Sequence, residues 1–295
     1  MNDMLDDYRK RVVKWLSPGV GDSPTRLAEV LCLPSFHPEA LLRVADGPSG
    51  TTFRLAAFTS SLWHSEPGRR PGRTEESVLM SPKRAARFWD ALDALDPSTI
   101  RDSNVLGVDG MLIRCSWRRG EASVSFEAWS PEPDSRHGTF IRRMYDLAWE
   151  LAQERASVER LEQIHGYLHI GLPVRQIVGK VRCLRIFGRL SSRDGDQLRS
   201  HFASLPREEP VVVDMTNFDG MGTLLYPAFV EFASGRRVAW ALSSTARRQV
   251  ESMGLNEPEL FDRAEDAVEW MVRTGARRVS DSADPSDHGQ DSSPT

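Results

Sequence analysis

The clearest pattern along the chain is an alternation of apolar strands and amphipathic helices between residues 174 and 275. Three consecutive valines at 211–213 are typical of a strand that is covered on both faces. Apolar residues then recur at helical spacing, at positions 224, 225, 229 and 232. The same patterns predict strands at 183–188, 237–242 and 260–261 and helices at 194–205, 245–253 and 264–273. Regular alternation of strand and helix indicates an α/β domain with a mostly parallel sheet.

The N-terminal half carries a different pattern, in which two hairpins are each followed by a helix. The first hairpin is predicted at 41–55 around a turn rich in glycine, and the second at 111–128, where apolar and polar residues alternate. Ser81-Pro82 predicts the start of a helix over 83–95, and apolar spacing predicts another from 140 to about 167. This order favours an α+β domain with one antiparallel sheet and helices on one face.

We expect the boundary between the two halves near residues 169–173, where glycine and proline interrupt the helical pattern. The predicted domains are therefore an α+β domain at 1–170 and an α/β domain at 174–275. Residues 280–295 are mostly Ser, Asp, Pro and Gly, with hardly an apolar side chain. Because such a segment cannot bury enough surface to offset its ordering entropy, we predict a disordered tail there.

Composition narrows the class of protein. The chain has 295 residues, a net charge of −4 and three cysteines, which are spaced unlike metal ligands and are interpreted as small buried apolar residues. No stretch has the length and apolarity of a membrane span or a signal peptide, which favours a cytoplasmic protein. The acidic balance disfavours nucleic-acid binding, so the basic stretch at 69–73 is interpreted as a solvated loop. Arginine greatly outnumbers lysine, as a high-GC bacterial genome would explain.

The chain offers little enzyme chemistry. It has no nucleophile elbow, no phosphate loop and no dinucleotide-binding fingerprint. His165 and His169 could share a helix face with Glu162 as a metal site, but an ordinary helix end flanked by glycines explains them as well. Asp214 and Asp219 bracket one strand end, where either a bound cation or loop capping would use them. We predict no catalytic residue, no metal and no cofactor.

Several landmarks in the C-terminal part occur together in an order and spacing that resemble a known family. They are Gly188-Arg189-Leu190-Ser191, the strand that ends at Asp214, Asp219-Gly220-Met221-Gly222 and Ser252-Met253-Gly254-Leu255. Over about residues 175–275 the chain resembles the STAS domain, the fold of bacterial anti-sigma factor antagonists. The resemblance implies a non-catalytic regulatory protein that binds another protein, namely an anti-sigma factor of the kinase type.

The resemblance also implies a partner-binding surface, which would comprise Asp219, Gly220, Met221, Gly222 and Thr223. In the family the loop reads Asp-Ser-Ser-Gly or Asp-Ser-Thr-Gly, and its first hydroxyl residue accepts a phosphate. Here the matching residue is Gly220, followed by Met221, and neither side chain has a hydroxyl. The usual phosphorylation switch is therefore expected to be absent, with Met221 serving as an adaptable apolar contact. Thr223 is a candidate surrogate acceptor, although it also suits an ordinary helix start.

Two other functions stay open. The layout of the N-terminal half is similar to that of small bacterial α+β immunity domains, so the alternative is a defence-associated protein that binds a toxin or another partner through this half. Six of the eight tryptophans lie there; most are assigned to the core, and Trp63 is the candidate for an exposed interface residue. The third function is an enzyme with an unrecognised site between the domains.

Overall fold

The structure, a computed structural model, describes residues 2–17, 24–66, 68–103, 105, 107, 109–255 and 258–281. The chain divides into two compact units, Met1–Gly171 and Leu172–Thr295. The predicted tail at 280–295 lies outside the described residues except for its first two, which belong to the last helix. No described helix combines the length and the apolar composition that a bilayer crossing requires.

The N-terminal unit is built on a six-stranded antiparallel sheet with the strand order β4-β3-β2-β1-β5-β6. Its strands are β1 (Arg26–Pro34), β2 (Ala40–Gly47), β3 (Gly50–Phe58), β4 (Arg73–Leu79), β5 (Met111–Arg119) and β6 (Ala122–Trp129). The predicted antiparallel sheet and both of its hairpins, β2–β3 and β5–β6, are confirmed. Strand β1 joins the two hairpins by pairing with both β2 and β5, and β4 extends one edge.

Helices cover both faces of this sheet. They are α1 (Asn2–Leu16), α2 (Pro82–Asp93), α3 (Arg136–Leu151) and α4 (Arg155–Leu168). Helices α2, α3 and α4 share the larger core with alternate strand residues, whereas Tyr8, Val12 and Leu16 of α1 pack on the opposite face with residues such as Leu31 and Phe58. The expectation of helices on one face only is therefore wrong, because the intervening strand residues are apolar as well and need their own cover.

The predicted long helix from 140 to 167 is also wrong, because the structure has two helices with an extended residue, Ala152, between them. Glu76 of β4 is almost fully buried, and its carboxylate accepts a hydrogen bond from the backbone N–H of Gln153 at 2.8 Å. The same carboxylate accepts from the N–H of Glu154, so it satisfies donors that begin the second helix. The predicted start of α2 is confirmed, with Ser81 as N-cap and Pro82 in the first turn.

The C-terminal unit contains a five-stranded sheet with the order β13-β12-β10-β8-β7. Its strands are β7 (Val174–Val178), β8 (Arg182–Ile186), β10 (Val211–Met215), β12 (Val238–Leu242) and β13 (Glu259–Phe261). Strand β7 forms an antiparallel hairpin with β8, and the other strands run parallel to one another. A separate two-stranded parallel ribbon joins β9 (Gly188–Leu190) to β11 (Phe218–Met221).

Four helices cover this second sheet: α5 (Gly195–Ala203), α6 (Tyr226–Ala233), α7 (Ser244–Ser252) and α8 (Ala264–Asp281). Residues of α5, α6 and α7 share one core with alternate strand residues such as Val211 and Val213. On the opposite face, Ala267 and Met271 of α8 pack against Val212 of β10. The three valines of β10 are fully buried, so this strand is covered on both faces as its sequence predicted.

Candidate functional site

The segment that we predicted as a loop opening a helix is instead the short strand β11. Phe218 pairs with Gly188 and Met221 with Leu190 of β9, and the register shifts between Phe218 and Gly220. This irregularity leaves Asp219 exposed at the edge of the ribbon. An Asp-Gly pair is typical of turns, but here pairing with β9 extends the backbone, which the local pattern could not show.

Gly220 has a positive φ within β11. Its φ is 141°, a value that L residues with a side chain rarely adopt. A Cβ built at this position would meet only the side-chain amide of Gln249, at 3.7 Å, which is ordinary van der Waals contact. The backbone conformation rather than lack of space therefore favours glycine at position 220.

Met221 is not an exposed contact residue, which corrects our expectation. Its side chain is only 8% exposed and belongs to the core between the sheet and helices α5, α6 and α7. Its backbone N–H donates to Oε1 of Gln249 at 3.2 Å, and Nε2 of Gln249 donates to its carbonyl at 2.9 Å. These two hydrogen bonds connect β11 to α7. Gly220 and Met221 are therefore buried beneath the predicted surface and do not form part of it.

The accessible part of the predicted surface consists of Asp219, Gly222 and Thr223, to which the structure adds Leu224. Thr223–Leu225 forms a single 3-10 turn that leads directly into α6, and the N–H of Leu225 donates to the carbonyl of Gly222 at 3.0 Å. Leu224 is 73% exposed, although its place in the apolar repeat predicted a buried residue. Leu224 lies in the 3-10 turn before α6, whereas the neighbouring Leu225 is buried.

A groove of about 670 Å³ runs along the outer flank of α6, beside Leu224. It is lined by Arg207, Thr223, Tyr226, Pro227, Val230, Glu231, Ser234 and Met253. The lining thus combines apolar side chains such as Val230 and Met253 with two charged ones, Arg207 and Glu231. We call Asp219, Gly222, Thr223, Leu224 and this groove the α6 surface.

Asp214 lies near this ribbon but is engaged in structural contacts. Its carboxylate is almost fully buried and pairs with Nη1 of Arg185 at 2.7 Å. The other oxygen accepts from the N–H of Thr216 at 3.0 Å and from its hydroxyl at 2.7 Å. The loop-capping role proposed for Asp214 is thereby confirmed, whereas Asp219 is exposed on the ribbon.

The candidate metal ligands near the end of α4 have other partners. Nδ1 of His165 lies 3.2 Å from the hydroxyl of Tyr145, and Nε2 lies 3.1 Å from the carbonyl of Gly171. Burial lowers the pKa of His165, so its ring is neutral near pH 7. His169 adopts the left-handed conformation that ends the helix. Across the described ranges, no three His, Cys, Asp or Glu side chains come together in a way that could hold a metal ion.

The cysteines are all free and buried, as predicted. Burial raises the pKa of Cys32 and of Cys183 to about 12, and it raises the pKa of Cys115 as well. Because the thiolate is the reactive form of cysteine, these side chains behave as small apolar residues at neutral pH.

The N-terminal unit presents exposed aromatic side chains at one end of its sheet. Phe36 is 63% exposed in the β1–β2 loop, and Trp63 is 44% exposed in the β3–β4 loop, as predicted for Trp63. Nε2 of His64 lies 3.2 Å from the carbonyl of Ser35, which brings the two loops together. The Trp63 ring packs edge-on against Tyr8 of α1 at 5.0 Å. We call Phe36 and Trp63 with these loops the aromatic surface.

A buried carboxylate fixes the shape of the aromatic surface. Glu39 is fully buried and accepts hydrogen bonds from the hydroxyl of Tyr8 at 2.6 Å and from the N–H groups of Leu62 and Trp63 at 2.9 and 3.2 Å. Burial, reinforced by Glu39, raises the pKa of Tyr8 well above its ordinary value, so its hydroxyl stays protonated and donates. The loop that carries Trp63 is therefore held by specific bonds.

The basic stretch at 69–73 is partly tied down rather than freely solvated. The guanidinium of Arg70 lies over the ring of Trp15 at 5.6 Å, and Nη1 of Arg73 donates to the Trp15 carbonyl at 3.0 Å. Both contacts fasten this loop to the C-terminal end of α1. Arg73 also pairs with Glu75 in the edge strand β4.

Comparison with known proteins finds similarity among solved structures and none among family models or curated sequences. No protein-family model and no curated protein matches the chain. One solved structure with similarity is an uncharacterized protein of the DUF3478 family, with a SpoIIAA-like fold, from Shewanella loihica PV-4. It is 19% identical, covers 34% of this chain and 93% of that chain, and gives a TM-score of 0.26. At that score the likeness carries no argument, so function is inferred from the residues and geometry above.

Proposed function

We propose that the protein is a non-catalytic regulatory protein that binds another protein through the α6 surface. The single observation that carries this proposal is Leu224, which is 73% exposed beside the groove along α6. The position of this surface also supports it, since it follows the segment that resembles the STAS phospho-acceptor loop. By that resemblance, the partner is an anti-sigma factor of the kinase type.

The chemistry of the α6 surface suits a protein partner. Burying a leucine side chain in an interface is worth roughly 1.5–3 kcal/mol, and residues that fill a pocket centrally dominate binding energy. Asp219 and Glu231 supply charges at the rim, where they steer association more than they add affinity. Beneath them, the bonds between Met221 and Gln249 hold β11 in place, which lowers the ordering cost of binding.

Regulation at this surface would differ from that of the family it resembles. Gly220 has no hydroxyl, and its buried position keeps it away from a kinase. Thr223 is exposed on the 3-10 turn before α6, so it is the candidate surrogate acceptor. We expect no phosphate on the protein after incubation with the cognate kinase and ATP, as measured by mass spectrometry. Phosphate on Thr223 would show that the switch has moved.

The test begins with a pull-down by the full-length protein, followed by affinity measurements with the captured partner. Leu224→Arg should weaken binding by more than about tenfold, because it places a charge where an apolar anchor is expected. Val178→Arg is the matched control, since Val178 is 76% exposed in β7 of the same unit. Both variants should keep the wild-type unfolding temperature, and equal affinity of wild type and Leu224→Arg would overturn the proposal.

The aromatic surface supports a second candidate, a defence-associated protein that binds a toxin or another partner through its N-terminal unit. Phe36 and Trp63 are exposed on loops that Glu39 and His64 hold together, and tryptophan is a favoured interface anchor. If Trp63→Ala abolishes binding of the captured partner while Leu224→Arg leaves it unchanged, this second function replaces the first.

A further inference from the structure

A second groove of the C-terminal unit lies between α5 and α6 and is rich in arginine. It has a volume of about 280 Å³ and is lined by Arg199, Phe202, Ala203, Leu205, Arg207, Ala228, Glu231, Phe232 and Arg236. Three arginines and one glutamate, Glu231, thus line the same small groove. Such an excess of one charge in a concave site attracts counter-charges from solution.

Arg236 is fixed in this groove by neutral groups. Its Nη2 donates to the carbonyl of Leu205 at 3.0 Å, and its Nη1 donates to the carbonyl of Pro206. Its guanidinium also lies over the Phe232 ring at 4.8 Å. Among the ion pairs of the described residues, none involves Arg236, so these contacts hold its charge in place without cancelling it.

Arg207 adds to this uncancelled charge. Burial lowers the pKa of Arg236, and the neighbouring Arg207 lowers it further, while Glu208 and Glu209 act in the opposite direction. Glu209 is engaged with Arg182 at 2.9 Å. Both arginines line the same groove, so their like charges repel and an anion between them would relieve that repulsion.

Arg199 completes the groove from the side of α5. It forms an ion pair with Asp196 at 3.2 Å, one turn away on the same helix, and the side chain of Asp196 is fully exposed to solvent. Exposed pairs of this kind contribute little, so Arg199 can turn to an incoming anion at small cost.

We propose that the groove between α5 and α6 is an oxyanion site, in which Arg199, Arg207 and Arg236 bind a phosphate group or clustered carboxylates. The planar guanidinium groups of Arg199 and Arg207 present paired N–H donors that match two oxygens of such a group, which a lysine ammonium would not do. Arg236, whose two Nη atoms donate to carbonyls, contributes its fixed positive charge. The ring of Phe232 restricts the motion of Arg236, so little side-chain entropy is lost on binding. The site does not depend on the function proposed above.

The oxyanion has two sources, a free phosphate compound or an acidic peptide segment. Arg207 and Glu231 line both this groove and the one along α6, so a bound partner could place acidic side chains here. The two sources are separated by probes, namely sodium pyrophosphate and a hexaglutamate peptide. Each is titrated into the full-length protein by calorimetry, with sodium chloride of equal ionic strength as the reference.

At least one probe should bind, and Arg207→Gln should weaken that binding by about fivefold or more, as expected for the loss of one charged contact. Arg248→Gln is the matched control, because Arg248 is exposed on α7 and the substitution removes the same charge from the same unit. Pyrophosphate binding alone identifies a phosphate compound, and hexaglutamate binding identifies an acidic segment. Binding of neither probe above the chloride reference, or equal weakening by both substitutions, would overturn the proposal.

Discussion

The N-terminal and C-terminal units both bury the two faces of a sheet. The strands are antiparallel in the N-terminal sheet, whereas most strands of the C-terminal sheet are parallel. In the N-terminal unit, Val30 and Leu31 are neighbours in β1 and belong to different cores. In the C-terminal unit, Val212 and Val213 divide between two cores in the same way. An uninterrupted apolar run therefore indicates burial on both faces in either kind of sheet. The connections decide strand direction, since tight hairpins join antiparallel strands and helices join parallel ones.

The units also differ in how they use buried charge. In the N-terminal unit, Glu39 and Glu76 accept hydrogen bonds from backbone N–H groups and so hold a loop and a helix start. In the C-terminal unit, Asp214 is paired with Arg185 inside the sheet and caps its own strand end. The N-terminal unit therefore depends on carboxylates for the shape of its loops, whereas the core of the C-terminal unit depends mainly on apolar packing.

The largest expected effect on stability comes from a change that disrupts the apolar packing of the C-terminal unit. Val212→Asp should lower the free energy of unfolding by at least about 3 kcal/mol, because it puts an unpaired charge in a fully buried strand. Val178→Asp, on the exposed edge strand β7, should have little effect. Urea unfolding measures the loss of free energy, and amide hydrogen exchange should show that the destabilised residues are 172–281. Near-wild-type stability of Val212→Asp would refute the buried position of β10.

A somewhat smaller effect is expected from the polar support of the N-terminal unit. Glu39→Ala should cost about 3 kcal/mol, since the Tyr8 hydroxyl and the N–H groups of Leu62 and Trp63 lose their acceptor in a buried site. Glu66→Ala, at an exposed position of the same loop, is the control. The loss is measured as the change in urea midpoint. Equal stability of the two variants would show that apolar packing alone holds this loop.

The smallest effect concerns the ribbon under the α6 surface. Gly220→Ala should cost about 1–3 kcal/mol, because alanine is strained at a φ of 141°. Gly222→Ala is the matched control, since Gly222 has a negative φ and open space around it. Thermal unfolding of both variants compares them directly. A Gly220→Ala protein as stable as Gly222→Ala would mean that the ribbon relaxes at no cost.

In the N-terminal unit, the strands that the local sequence pattern did not predict are β1 and β4. Strand β1 shows no alternation of apolar and polar residues, because helices cover both of its faces while the two hairpins pair with its edges. Strand β4 carries Glu75 and Glu76 and resembles a polar loop, as edge strands with charged residues often do. Pairing with β3 makes it a strand. By contrast, the local patterns were sufficient for both hairpins and for the start of α2.

The sequence predicted only part of the candidate site, because the contacts that decide the rest lie far along the chain. Asp219 and Thr223 are exposed, as a binding surface requires, but Met221 is buried by the pairing of β11 with β9 and by Gln249 of α7. Neither contact is local, so the sequence around the Asp-Gly pair gave no indication of the strand. Leu224 is exposed although it belongs to the apolar repeat, because it lies in the 3-10 turn before α6.

The most direct test of the central claim is a footprint of the bound partner by amide hydrogen exchange. The full-length protein is measured alone and with the partner captured by pull-down, and protection is compared between the α6 surface and the aromatic surface. We predict slower exchange at 218–231 on binding, with no change at 35–39 and 59–66. Protection of the two N-terminal loops with unchanged exchange at 218–231 would contradict the claim and place the interface on the N-terminal unit.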